Sequence, residues 1–133
     1  MTFEWSEFMK VATMLEHGIA ATIGEVPTDE ACQRTSVSRA YYAAFHESWE
    51  FLKARGKESE ISTGPGAHTA VPRVLKESGE REWKKIGNKL DNLKSDRHKA
   101  DYEAHIENVK SLCAKSITNA KELLQLLESL RQN

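Results

Sequence analysis

The sequence has little of what marks a membrane protein, a secreted disulfide-rich protein or a β-protein. Its 133 residues include two cysteines and three prolines, and no apolar run approaches the roughly 18 residues of a membrane span. Valine and isoleucine are sparse and do not alternate with polar residues, so we predict no β-strand. Cys32 and Cys113 form no CxxC pair and no Cys/His cluster. This pattern favours two reduced, packed cysteines and predicts no metal site.

An excess of charge of one sign is also missing. Nineteen basic and 20 acidic side chains leave a formal net charge of -1 at pH 7, so the chain as a whole does not attract nucleic acid, and any anion site must be local. The first five residues lack the basic region of a signal peptide. We therefore expect a single cytoplasmic domain over residues 1–133 that does not associate with membranes.

Helical periodicity is what the sequence contains instead. It predicts an all-α, up-and-down bundle of four main helices plus one short helix. The predicted helices cover about residues 2–23, 28–55, 67–77, 80–95 and a last segment that starts between 101 and 105 and ends near 130. Residues 57–66 are rich in Gly, Pro and polar side chains, which predicts a surface loop. The apolar stripe of the first helix is Phe8, Val11, Leu15 and Ile19.

Residues 97–102 read Arg-His-Lys-Ala-Asp-Tyr and fall at the predicted junction of the last two helices. In a structural interpretation, the basic residues favour the C-terminal end of one helix and Asp101 favours the start of the next, with an Arg97–Asp101 ion pair. In a functional interpretation, Arg97 binds a phosphate bidentately. His98, Tyr102 or His105 would then transfer a proton. The residue types alone leave both interpretations open.

A second segment, residues 38–46, reads Ser-Arg-Ala-Tyr-Tyr-Ala-Ala-Phe-His. It places Arg39 and His46 seven positions apart, on about one face of the second predicted helix. The two side chains are candidates for lining a cleft, but a histidine on an apolar helix face is also typical of a packed core. Tyr41 and Tyr42 are predicted to be core aromatics with hydrogen-bonded hydroxyls. His68 stands isolated in the sequence.

Together, the two segments resemble the HEPN domains (higher eukaryote and prokaryote nucleotide-binding). Residues 38–46, followed by a helix that ends at Gly56, are similar to the second helix of that family. Leu90-x-x-Leu93-x-x-x-Arg97-x-x-Ala100-Asp101-Tyr102 is similar to the signature of the subgroup that ends in Arg-x-x-Ala-Asp-Tyr. The resemblance covers about residues 5–130. It implies a four- or five-helix bundle that forms a homodimer and needs no cofactor.

The resemblance implies two functions. The first is a metal-independent endoribonuclease of toxin–antitoxin or defence type, in which Arg97 stabilises the phosphoryl charge and a composite cleft forms across the dimer. His98 occupies the polar position after the arginine, and Tyr102 stands where active members carry the proton-transferring histidine. Because tyrosine titrates near pH 10 and is a poor base at neutral pH, the second is a catalytically silent module. It would bind RNA or nucleotide, or would partner a nucleotidyltransferase.

A third interpretation is a helical dimer in which the Arg97–Asp101 pair is only structural. The candidate catalytic residues are Arg97, His98 and Tyr102. The candidate substrate-binding residues are Arg39, His46, Lys99, Asp101 and His105.

Overall fold

The computed structural model describes residues 4–18 and 27–132, and these contain five α-helices and no β-strand. The prediction of an all-α bundle is therefore confirmed. The second helix is the central element and contacts each of the other four. The helices are α1 (Glu7–Glu16), α2 (Asp29–Ala54), α3 (Ala67–Glu77), α4 (Arg81–Tyr102) and α5 (Val109–Arg131), with a single 3-10 turn at Glu58–Glu60 between α2 and α3.

The bounds of α2 follow from local signals and agree with the prediction. Thr28 caps its first turn, since its Oγ1 accepts a hydrogen bond from the Ala31 amide at 3.1 Å. Gly56 follows its end in a left-handed conformation, with φ +79°. Its alanines at 40, 43 and 44 are fully buried, which allows neighbouring helices to approach closely. The buried face of α2 includes Val37, Tyr41, Ala44, Phe45, Ser48 and Leu52.

The prediction for the first helix is wrong in length and partly in phase. Helix α1 begins at Glu7 and ends at Glu16, so the bundle has three long and two short helices; Gly18 follows with φ +83°. A glycine in the left-handed conformation commonly ends a helix, and the prediction from apolar spacing did not take Gly18 into account. The predicted segment 19–23, with Ile19, lies outside the described residues. Val11 is exposed, and the buried face consists of Met9, Ala12 and Leu15.

The predicted junction of the last two helices is also wrong. Helix α4 continues seven residues beyond Ser95, to Tyr102, and α5 begins only at Val109. No glycine or proline interrupts residues 95–102, and Ala100 is buried, so the helix continues. The Asn108 side chain caps α5 by accepting a hydrogen bond from the Ser111 amide at 3.0 Å. Residues 97–102 are therefore the last turns of one helix.

The segment between α2 and α3 is more closely attached to the bundle than a simple surface loop. Ile61 is buried against the core. The indole N–H of Trp49 donates a hydrogen bond to the carbonyl oxygen of Ser62 at 3.1 Å. These contacts hold the segment beside α2 ahead of α3. None of the described helices combines the length and apolar character that a bilayer span requires.

Candidate functional site

Arg97 lies on the last turns of α4 and is oriented by two aromatic rings of α2. Its guanidinium carbon is 5.1 Å from the centroid of the Tyr41 ring and 5.7 Å from that of Tyr42. Its Nη1 donates to Oδ2 of Asp101 at 3.3 Å, which confirms the expected ion pair. The side chain is only 17 % exposed, and its buried Nε finds no hydrogen-bond partner among the described residues. Cation–π contacts thus orient the fork of this arginine.

The other candidates of this segment lie on the surface of the same helix end. His98 and Tyr102 pack against each other one turn apart, with ring centroids 5.0 Å apart. Tyr102 is 69 % exposed, and Lys99 is exposed as well. His105 is exposed beyond the end of α4, and no contact within the described chain brings it to Arg97. The i,i+4 spacing therefore gives two pairs, Arg97 with Asp101 and His98 with Tyr102.

A cleft of about 480 Å³ opens on this helix end, and its lining has a small excess of positive charge. The side chains of Lys94, Arg97 and Lys99 line it together with His98 and two carboxylates, Asp91 and Glu103. Asp91 is engaged in an ion pair with Lys76 of α3, so part of its charge is already neutralised. The cleft is the local concentration of positive charge that a chain of nearly zero net charge needs in order to bind an anion.

Arg39 and His46 are brought near Arg97 through the ring of Tyr42. The Arg39 guanidinium carbon lies 4.9 Å from the Tyr42 centroid, and the His46 ring lies 6.2 Å from it. His46 also stacks on Trp5 at 3.7 Å. Burial, and secondarily the nearby His68, lower the pKa of His46, while Glu47 opposes this shift. The two candidates of α2 and the arginine of α4 thus belong to one aromatic and cationic cluster.

His68 is the member of this cluster that the sequence did not reveal. It lies in the first turn of α3, where its Nδ1 is 2.5 Å from the hydroxyl of Tyr41. Its ring stacks on Phe45 with centroids 4.2 Å apart. Burial lowers the pKa of His68, and the positive charges of Arg97 and Lys94 lower it further. The interpretation of His68 as isolated is therefore wrong, and that of Tyr41 as a buried tyrosine with a bonded hydroxyl is confirmed.

Arg34 of α2 is a second residue that sequence reasoning missed, and it holds the end of α4 in place. Its guanidinium donates to three carbonyl oxygens at the end of α4: those of Ala100 at 3.0 Å, Glu103 at 2.6 Å and Ala104 at 3.3 Å. Carbonyls at a helix C-terminus have no partner within the helix. Arg34 supplies that partner and holds the turn that carries Arg97 and Asp101.

Comparisons with protein-family models, with curated proteins and with solved structures find no match. Among the described residues, no three His, Cys, Asp or Glu side chains are grouped so as to hold a metal ion. The fold and the site define an all-α protein that carries a local cationic site on the last turns of α4. In this site an arginine is oriented by tyrosines and helps to lower the pKa of a neighbouring histidine, His68.

Proposed function

We propose that this protein is a HEPN-type helical module that binds the phosphate groups of RNA or of a nucleotide at Arg97. The observation that carries the proposal is that most N–H donors of the Arg97 guanidinium have no acceptor in the described part of the chain. Five N–H donors are available on an arginine, yet one oxygen of Asp101 is their sole acceptor in the described part of the chain. The remaining donors and the planar fork suit a phosphate, which arginine binds bidentately.

The surroundings of Arg97 support an anionic ligand. The two tyrosine rings hold the plane of the guanidinium, so little rotamer freedom is lost on binding. The limited exposure of the side chain strengthens its charge interactions relative to those of a fully solvated arginine. Lys94 and Lys99 line the same cleft and add positive charge for neighbouring phosphates of an RNA strand.

Metal-independent RNA cleavage, in a toxin–antitoxin or defence role, is the second candidate function, and the position of His98 favours it. This exposed imidazole lines the same cleft as Arg97 and packs against Tyr102. In this candidate function, His98 transfers the proton and Arg97 stabilises the phosphoryl charge.

The same proposal includes a homodimer, and a nucleotidyltransferase as an alternative partner. Apolar side chains exposed in the described chain support a protein contact: Val11 and Met14 on α1, and Tyr102 beside the site on α4. Light scattering of the wild type and of Met14→Glu tests the dimer. A homodimer that uses α1 should dissociate in the variant, whereas an unchanged mass would exclude α1 from the interface.

RNA binding tests the main proposal directly. Labelled single-stranded RNA is titrated in EDTA, over a series of salt concentrations, with the wild type, Arg97→Ala and Arg97→Lys. We expect Arg97→Ala to weaken binding about tenfold or more and to reduce the slope of log K against log salt by about 0.7, as for one lost phosphate contact. Arg97→Lys should recover part of the affinity but lose the bidentate fork.

Arg73→Ala is the matched control, because Arg73 is exposed on α3 and pairs with Glu77 at 3.9 Å in the same i,i+4 spacing. Equal losses for Arg73→Ala and Arg97→Ala would mean non-specific attraction and would contradict the proposed site. His98→Ala separates the two candidate functions. If the protein cleaves, this variant should bind RNA and no longer cut it; if the wild type only binds, the RNA stays intact throughout.

A further inference from the structure

A second cleft, of about 530 Å³, lies between α2, the residues before α1 and the segment that leads into α3. This volume falls within the range of small-molecule sites. Trp5, Phe45 and Trp49 form an aromatic side of the cleft, its polar groups include Glu50 and His68, and residues 62–65 complete the lining. His68 also contacts Tyr41, over which Arg97 lies. The buried Tyr41–His68 pair therefore connects the lining of this cleft to Arg97.

The walls of the cleft are flat and held in place. Trp5 and His46 stack with an interplanar angle of 16°, and Phe45 and His68 stack with an angle of 19°. The indole of Trp49 is fixed by its hydrogen bond to the Ser62 carbonyl. Aromatic walls of this kind suit a planar ring, because stacking on an aromatic side chain is a common way to bind a nucleobase.

Hydrogen bonding determines which nitrogen of His68 carries a proton. Tyr41 is fully buried, and burial raises the pKa of its hydroxyl, which stays protonated at neutral pH. Nδ1 of His68 is the one hydrogen-bond partner of this hydroxyl among the described residues, and we assign the hydroxyl as the donor, because the reverse direction would leave a buried O–H without an acceptor. Because His68 is neutral at pH 7, its proton lies on Nε2. His68 thus offers an N–H donor to a ligand in the cleft.

Glu50 supplies the complementary acceptor. It is exposed on α2, lines the same cleft, and has no hydrogen bond or ion pair within the described residues. A carboxylate accepts hydrogen bonds only, and its two oxygens suit a pair of adjacent N–H groups. Among nucleobases, guanine has adjacent N1–H and N2–H donors, with the O6 acceptor beside them. Adenine places the N1 acceptor next to its amino group, which a carboxylate would repel.

We propose that this cleft binds a guanine base, with Glu50 accepting from N1–H and N2–H, His68 donating to the base, and the aromatic walls stacking on it. The assignment rests on the proposed function in one respect: the phosphate of the same guanine nucleotide is the group that Arg97 binds. The base site would make the module selective for guanine, which a phosphate contact by itself does not achieve.

Tryptophan fluorescence tests the base site independently of Arg97. Trp5 and Trp49 line the cleft, whereas Trp83 packs against Phe51 at 5.2 Å and lies outside it. Guanosine, which has no phosphate, should quench the emission of the wild type and of Trp83→Phe, and adenosine should bind at least about tenfold more weakly. Glu50→Gln should weaken guanosine about tenfold, because an amide NH₂ would face the donors of the base. Glu58→Gln, an exposed glutamate outside the cleft, is the matched control and should bind like the wild type.

Comparing guanosine with guanosine 5′-monophosphate separates this inference from the proposed function. Arg97→Ala should weaken binding of the monophosphate about tenfold more than binding of guanosine, which has no phosphate. If the variant binds both like the wild type, the phosphate role of Arg97 fails and the base site remains. If neither nucleoside quenches, if both bind equally, or if Glu50→Gln has no effect on guanosine, the guanine site is overturned even if Arg97-dependent RNA binding is found.

Discussion

Replacing Arg34 by alanine should loosen the end of α4, where the candidate site lies. Arg34 is 66 positions before Ala100 in the chain. Its guanidinium nevertheless caps the C-terminal end of that helix by donating to three backbone carbonyl oxygens, at distances between 2.6 and 3.3 Å. An ion pair with Glu30 at 3.5 Å holds the side chain from its own helix. Loss of this arginine would leave the last carbonyls of α4 without a protein partner.

The loss of unfolding free energy in Arg34→Ala depends on which of the three carbonyl oxygens can hydrogen-bond to water instead. Ala100 is buried, so the hydrogen bond to its carbonyl oxygen should contribute nearly its full free energy, about 1.5–3 kcal/mol for a charged donor. Glu103 and Ala104 are exposed and regain water, so their contacts should add little. The exposed i,i+4 pair with Glu30 contributes about 0.3–0.5 kcal/mol. We expect Arg34→Ala to lower the free energy of unfolding by about 2–3 kcal/mol.

Urea denaturation and amide hydrogen exchange measure this prediction. The urea midpoint should fall by about 1–2 M, given a dependence of about 1–3 kcal/mol per M for a small protein. Exchange should accelerate at the amides of residues 97–102 more than in the middle of α2. Arg34→Lys should be intermediate, since an ammonium lacks the fork, and Glu30→Gln should change stability by less than about 0.5 kcal/mol. A loss below about 0.5 kcal/mol for Arg34→Ala, with exchange unchanged, would refute the capping role.

Three further predictions concern stability. Because the pKa values of His46 and His68 are lowered in the folded state from about 6.5 in the unfolded chain, the unfolded chain takes up more protons below that pH. The free energy of unfolding, measured in urea, should thus fall as the pH drops below about 6.5, by at most about 1.4 kcal/mol per pH unit for each histidine, and a His46→Gln/His68→Gln variant should flatten this slope. Gly87→Ala should reduce stability by about 1–3 kcal/mol and lower the melting temperature, although alanine has the better helix propensity, because the new Cβ would lie 3.1 Å from a carbonyl oxygen of α3. An unchanged melting temperature would mean that α3 shifts freely. Asp96→Asn should cost about 1–2 kcal/mol in thermal unfolding, since it removes the charge of a buried carboxylate that accepts from Ser116 at 3.0 Å and pairs with Lys115 at 3.2 Å, and puts an NH₂ donor in place of one oxygen; equal stability would contradict that role.

The parts of the fold that local chemistry controls were predictable. Helix α2 begins after the capping side chain of Thr28 and is followed by Gly56, and α3 has the predicted bounds, between Gly66 and Gly79. A cap or a left-handed glycine acts within a few residues, so its effect can be read from the chain. The Arg97–Asp101 pair was also predicted, but across a junction of two helices, whereas both residues lie on α4 four positions apart.

The sequence by itself determined that the chain forms helices, where two of them begin and end, and that any anion site had to be local. Tertiary structure decided which side chains form that site. Arg34 caps the end of α4 across 66 positions of the chain, and His68 reaches Tyr41 across 27 positions. The physical reason is that helical periodicity and caps act over a few residues. The partners of a buried hydroxyl or a terminal carbonyl, in contrast, come from whichever helix packs against them.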